Sequence, residues 1–161
     1  MADYKNLQVL NLSSNFIAYD CVMLLVAKLK NLHMLKVLDL RNNYVDSDGA
    51  QELAGIVCIH TSLEASYLGG NFIRNEGAEM FARRIVEEEK SKLLSCKLKI
   101  LEMSSSSVIF SGAKELAKLG KLLPQLKRLD LYDNLITTDE QEQILANSSG
   151  LAIHFQKVLP V

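Results

Sequence analysis

Five stretches of this chain align without a gap: LQVLNLSSNFI from Leu7, LKVLDLRNNYV from Leu35, LEASYLGGNFI from Leu63, LKILEMSSSSV from Leu98 and LKRLDLYDNLI from Leu126. Their starts lie 28, 28, 35 and 28 residues apart. A fixed period of this length constrains the fold more than composition does. A unit this small cannot bury its own apolar face and must stack on its neighbours. Positions four and six of each stretch are apolar, except Ser66 in the third, with a residue of another kind between them. That is the alternation of a strand with one buried side. Position nine is Asn15, Asn43, Asn71 and Asn134 in four units and Ser106 in the fourth. An amide there, where the chain leaves the strand, can bond backbone groups of the turn and of the adjacent unit, each bond contributing about 0.5–1.5 kcal/mol.

The second half of the unit is helical. DGAQELAGIV, EGAEMFARRI and SGAKELAKLG recur after Asp48, Glu76 and Ser111, with Leu53, Phe81 and Leu116 at matching places. With the Leu-x-x-Leu-x-Leu-x-x-Asn half, this long unit resembles the leucine-rich repeat family, in its ribonuclease-inhibitor-like class. The resemblance covers almost the whole chain. It implies an α/β fold: a right-handed solenoid forming a horseshoe arc, a parallel concave β-sheet, convex helices, and five repeats plus a closing strand. Residues 1–161 then make one domain, and Leu151, Ile153 and Phe155 supply the closing strand. Few residues precede Leu7 and none resembles a polar cap, so we expect a piece of a longer solenoid, with a covered end as the alternative.

The run Ser104–Ser107 reads in isolation as a linker, but it falls inside a full 28-residue unit. It interrupts the asparagine column one unit after Ser66 softens the strand, so a locally weaker solenoid is expected there. The seven extra residues of unit three contain RRIVEEEKSK, rich in helix formers. They predict a helix lengthened by about two turns, with Arg83–Glu87 and Arg84–Glu88 paired at i,i+4. In unit five, Thr137 and Glu140 are spaced for a capping box ahead of a short helix near residues 139–146.

Composition excludes several function classes. A net charge of −1 provides no phosphate attraction, which argues against nucleic acid. The longest apolar run, Cys21 to Ala27, is far too short to span a membrane, and no secretory signal is visible. Three cysteines without paired spacing, Cys21, Cys58 and Cys96, read as reduced and buried thiols in a cytoplasmic or nuclear protein. His33 and His60 lie before successive strands, where they can be neighbours, and Cys58 sits near His60. No third ligand or orienting carboxylate has a matching spacing, so ordinary loop roles are expected. No cofactor, metal or catalytic motif is implied.

The concave sheet is where solenoids commonly bind. Position five presents Asn11, Asp39, Tyr67, Glu102 and Asp130; positions seven and eight add Arg41, Tyr132 and Asp133; position three adds Arg128. Asp39, Arg41, Tyr67, Glu102, Arg128, Asp130, Tyr132 and Asp133 are the expected partner-binding residues, with tyrosine and arginine the types interfaces favour. The acidic column suggests a folded protein partner with a basic patch. The leading functional expectation is a non-catalytic protein-interaction module. The resemblance also implies two alternatives: a GTPase-activating protein similar to the Ran GTPase-activating protein, and an actin-binding cap similar to the tropomodulin C-terminal domain.

Overall fold

The computed structural model describes residues 4–148 and 150–155, with the backbone alone at 58 and 59. Strands and helices alternate: β1 (Val9–Asn11), α1 (Tyr19–Leu29), β2 (Val37–Asp39), α2 (Ser47–Ile59), β3 (Ala65–Tyr67), α3 (Arg74–Val86), α4 (Lys90–Ser95), β4 (Ile100–Glu102), α5 (Phe110–Leu122), β5 (Arg128–Asp130), α6 (Thr138–Asn147) and β6 (Ala152–His154). The strands form one parallel sheet in sequence order. Its register is that of the gapless alignment: Leu10, Leu38, Ser66, Leu101, Leu129 and Ile153 are successive partners. The sixth strand therefore closes the sheet as expected.

The core lies between sheet and helices. Leu38, Leu40, Leu68, Leu101, Met103, Leu129 and Leu131 face Leu53, Phe81, Ile85 and Leu116, all buried. Each fully buried side chain of this size contributes about 1.5–3 kcal/mol. The Gly-Ala motif sets how closely neighbouring helices approach: a Cβ on Gly77 would stand 2.8 Å from Ser47 Cα. Serine at position 66 is fully buried and its hydroxyl has no hydrogen-bond partner.

The asparagines tie each unit to the one before it. Asn71 Nδ2 donates to the carbonyls of Leu68 (2.6 Å) and Leu40 (2.9 Å), while its Oδ1 accepts from the Val45 amide at 3.0 Å. Asn43 does the same to Leu12 and Ile17, and Asn134 to Met103 and Val108. Ser106 is too short to reach back; its hydroxyl donates to Ser104 O in its own unit. The effect falls on the preceding unit. Position twelve of the unit is extended at Ala18, Asp46, Ile109 and Thr137, but in unit three its counterpart Arg74 begins α3 directly after Ile73, which is right-handed helical. Arg74 follows at φ 59°, and its amide donates to Ser106 O at 2.8 Å. Ser107 is also left-handed, at φ 55°.

The expected long helix of unit three is instead two helices. α3 ends at Val86, and the chain turns through Glu87–Glu89 into the short α4. Three carboxylates at a helix C-terminus oppose its dipole. Turning also buries Leu93 and Cys96, which a straight extension would carry past the core. Glu88 joins the two pieces, pairing with Arg84 on α3 and with Lys92 on α4 at 3.3 Å. Arg84–Glu88 thus pairs as expected, while Arg83–Glu87 does not form an ion pair. In unit five, Glu140 accepts from the Thr137 amide at 2.8 Å and α6 begins there.

Two stability outcomes follow from this packing. Asn71→Ala is expected to cost about 2–3 kcal/mol in denaturant unfolding, because it strands buried backbone groups of two units, whereas Ser106→Ala costs under about 1 kcal/mol. Ser66→Ala is expected to raise stability by about 1 kcal/mol by removing an unpartnered buried hydroxyl.

Candidate functional site

The concave surface is set by short strands that end after position five. The amide of position seven then lacks a carbonyl of the sheet, and the side chain at position five bonds it. Asn11 Oδ1 accepts from the Ser13 amide at 2.9 Å, Asp39 Oδ1 from Arg41 at 3.1 Å and Glu102 Oε1 from Ser104 at 2.8 Å. Glu102 Oε2 also accepts from the Gly69 amide at 3.0 Å. Only glycine permits that approach, since a Cβ at 69 would lie 2.3 Å from Glu102 Oε1.

This corrects the expected acidic surface. Asp39, Glu102 and Asp130 are buried, not presented to solvent. Asp39 is gripped by Arg41, with Nε at 3.0 Å from Oδ1 and Nη2 at 2.5 Å from Oδ2. Asp130 is gripped by Arg128, with Nε and Nη2 each 2.8 Å from a carboxylate oxygen, and His154 Nδ1 lies 2.8 Å from it. Burial of a carboxylate is tolerated only with such partners. Asp133 is exposed and accepts from Ser105 Oγ at 2.9 Å.

Position eight also has a backbone explanation. Ser14, Asn42, Gly70, Ser105 and Asp133 all have positive φ, between 49° and 67°. Glycine, asparagine and aspartate tolerate that region best, so the residue types of this column reflect the turn.

What the concave face exposes is arginine and tyrosine. The Arg41 guanidinium lies 5.0 Å from the centre of the half-buried Tyr67 ring. Arg128 and Tyr132 are exposed beside β5, with the Tyr132 ring 6.0 Å from that of His154. The structure thus brings Arg41, just after β2, to Tyr67 on the neighbouring β3, and Arg128 to Asp130 within β5.

A second surface was missed by reading the columns of the sheet alone. Position ten carries Phe16, Tyr44 and Phe72, exposed by 80%, 45% and 55%. Their rings meet across units, Phe16 tilted against Tyr44 and Tyr44 stacked on Phe72, with centroids 5.7 and 5.6 Å apart. The stack ends at Ser107, and Leu135 of unit five is again exposed. The signal was present in the alignment as the residue after the asparagine.

Away from these surfaces, His33 and His60 do come together, lining a cavity of about 200 Å³ with Lys30, Ile56 and Thr61. Burial holds the His60 imidazole below its ordinary pKa. The Cys58 side chain lies outside the described residues. Cys96 is buried as expected, with Sγ 3.6 Å from Val57 O, but Cys21 is exposed. No helix among the described residues is long and apolar enough to cross a membrane.

Comparison with known proteins bears on the fold. The family model described as Leucine Rich repeat matches residues 31–54. No curated protein matches the sequence. Among solved structures, one titled Leiomodin-1 Actin-Binding Site 2 (ABS2) is similar, with a TM-score of 0.67 at 17% identity, covering 87% of this chain and 77% of that one.

The Arg41 hydrogen bond is the main influence holding the Asp39 carboxyl below the usual carboxylate range, against the upward push of burial. Its stabilising contribution is full above the unfolded value of about 3.9 and is lost as pH falls through the lower folded value. The stability difference between wild type and Asp39→Asn in urea is therefore expected to shrink as pH falls below about 4.

Proposed function

We propose that this chain, a leucine-rich-repeat protein, is a non-catalytic interaction module that binds a partner protein through its concave sheet. The observation that carries the reading is the arginine–tyrosine surface. Arg41 and Arg128 are held in place by buried carboxylates, with Tyr67 beside Arg41 on the adjacent strand β3 and Tyr132 just after β5. Side chains already immobilised lose little freedom on binding, and these two types dominate interface energetics. Because Asp39, Glu102 and Asp130 are covered and bonded, the charges offered to a partner are the two guanidiniums and Asp133. A partner surface with acidic or aromatic groups matches this better than a basic patch.

Actin binding is a second reading. It rests on the likeness to the leiomodin-1 actin-binding structure, which is a likeness of fold. Cosedimentation with filamentous actin separates the two readings. A pellet fraction above the actin-free control supports the second, and none removes it.

The concave reading is tested by affinity capture from native cells with the wild-type chain and a Tyr67→Ala/Tyr132→Ala variant. The variant keeps its arginine–carboxylate pairs and is expected to fold. Retention of a specific partner is expected to fall about tenfold or more, as for loss of interface anchor residues. Equal retention by both chains would place binding elsewhere.

A further inference from the structure

The column of Phe16, Tyr44 and Phe72 has no role in the core and none in the concave face. These side chains are exposed, yet neighbouring rings touch, so they form a continuous apolar strip along the rim where strands pass into helices. The first turns of α1, α2 and α3 begin a few residues further on, and each carries an exposed carboxylate at the same place in its unit: Asp20, Asp48 and Glu76. Arg74 is the only exposed cation in those first turns. On the other side of the strip, Ser14, Asn42 and Gly70 are uncharged, and Arg41 is engaged by Asp39 and Tyr67.

We propose that this rim is a docking strip for a basic amphipathic helix of a partner protein. Two features select that occupant. The first is spacing. The rings repeat at 5.7 and 5.6 Å, close to the helical pitch of about 5.4 Å. Same-side residues of an extended strand repeat at about 6.6–6.8 Å and drift out of step over three rings. A helix laid along the strip sets one apolar side chain per turn against each ring, the i, i+4, i+7 pattern of helix recognition. The second is charge. The parallel carboxylate row attracts lysine or arginine on one flank of that helix. The same row repels a second copy of this chain docking through its own rim, and it repels an anionic membrane. This surface is distinct from the concave sheet and does not depend on it.

The test uses the whole chain and a fluorescein-labelled peptide of leucine, alanine and lysine, with leucines at i, i+4 and i+7 and lysines along one flank. A matched peptide carries glutamate in place of lysine. Fluorescence anisotropy is expected to show micromolar binding of the lysine peptide and about tenfold weaker binding of the glutamate peptide. Phe16→Ser/Tyr44→Ser/Phe72→Ser, which copies the serine of unit four, is expected to weaken lysine-peptide binding about tenfold or more. So is Asp20→Asn/Asp48→Asn/Glu76→Gln, which leaves the rings intact should the first variant fold poorly. Tyr67→Ala/Tyr132→Ala, which the concave reading expects to lose its own partner, is expected to bind the lysine peptide as the wild type does, which separates this surface from the concave one. Equal binding of the two peptides, full binding by the serine or amide variant, or no binding at about 1 mM would overturn the proposal. So would a concentration-dependent dimer in sedimentation that the serine variant abolishes, since a second copy would then be the occupant.

Discussion

The backward reach of one asparagine per unit is the interaction on which the rest of the structure depends. Leucine stacking drives the units together, but it is non-directional and tolerates sliding. The asparagine amide fixes where each unit sits, because it must meet a carbonyl and an amide of the preceding unit and carbonyls of its own turn at once. For Asn71 those groups are Leu40, Val45, Leu68 and Gly69. Such groups, buried and unbonded, would each cost more than a bond made on the surface gains. With the units locked, position-five carboxylates meet position-seven amides, position eight turns left-handed in every unit, and position-ten rings touch.

Much of this was legible in the sequence. The leucine columns and four asparagines predicted the sheet, its order and its register, because a period-two alternation repeated at constant spacing leaves one way to align the strands. The misreadings share a physical cause: they were judged one column or one segment at a time. Asp39 and Asp130 read as surface charges, because charged residues between leucines point out of the core. Their burial depends on Arg41 and Arg128 folding over them from position seven of the same unit and from position three. The insertion after Val86 was read by helix propensity alone, which favours a long helix. Burial of Leu93 and Cys96 outweighs that preference. Ser106 was recognised as a break, but its consequence appears one unit earlier, at Ile73 and Arg74, because the asparagine reaches backward.

The same lock positions both candidate surfaces. On the concave face it presents guanidiniums whose counter-charges are structural, so the surface differs from the charge pattern of its sequence. On the rim it spaces three rings at nearly the pitch of a helix, a coincidence of unit thickness and helical geometry that a single unit could not produce. The strip stops where the asparagine column stops, at Ser106 and Ser107. A change in the turn thus also changes what the rim offers to a partner.

The central claim is that lateral asparagine bonds set local stability along the solenoid, and hydrogen exchange tests it most directly. The amides of Val45 and Val108 each meet an asparagine of the following unit, at 3.0 Å in both cases. The equivalent amide of Ile73 faces unit four, where Ser106 stands in place of the asparagine. Native-state exchange followed by NMR is expected to show Ile73 exchanging faster than both Val45 and Val108, although it is the central one of the three. Protection of Ile73 equal to or greater than that of its two counterparts would contradict the account.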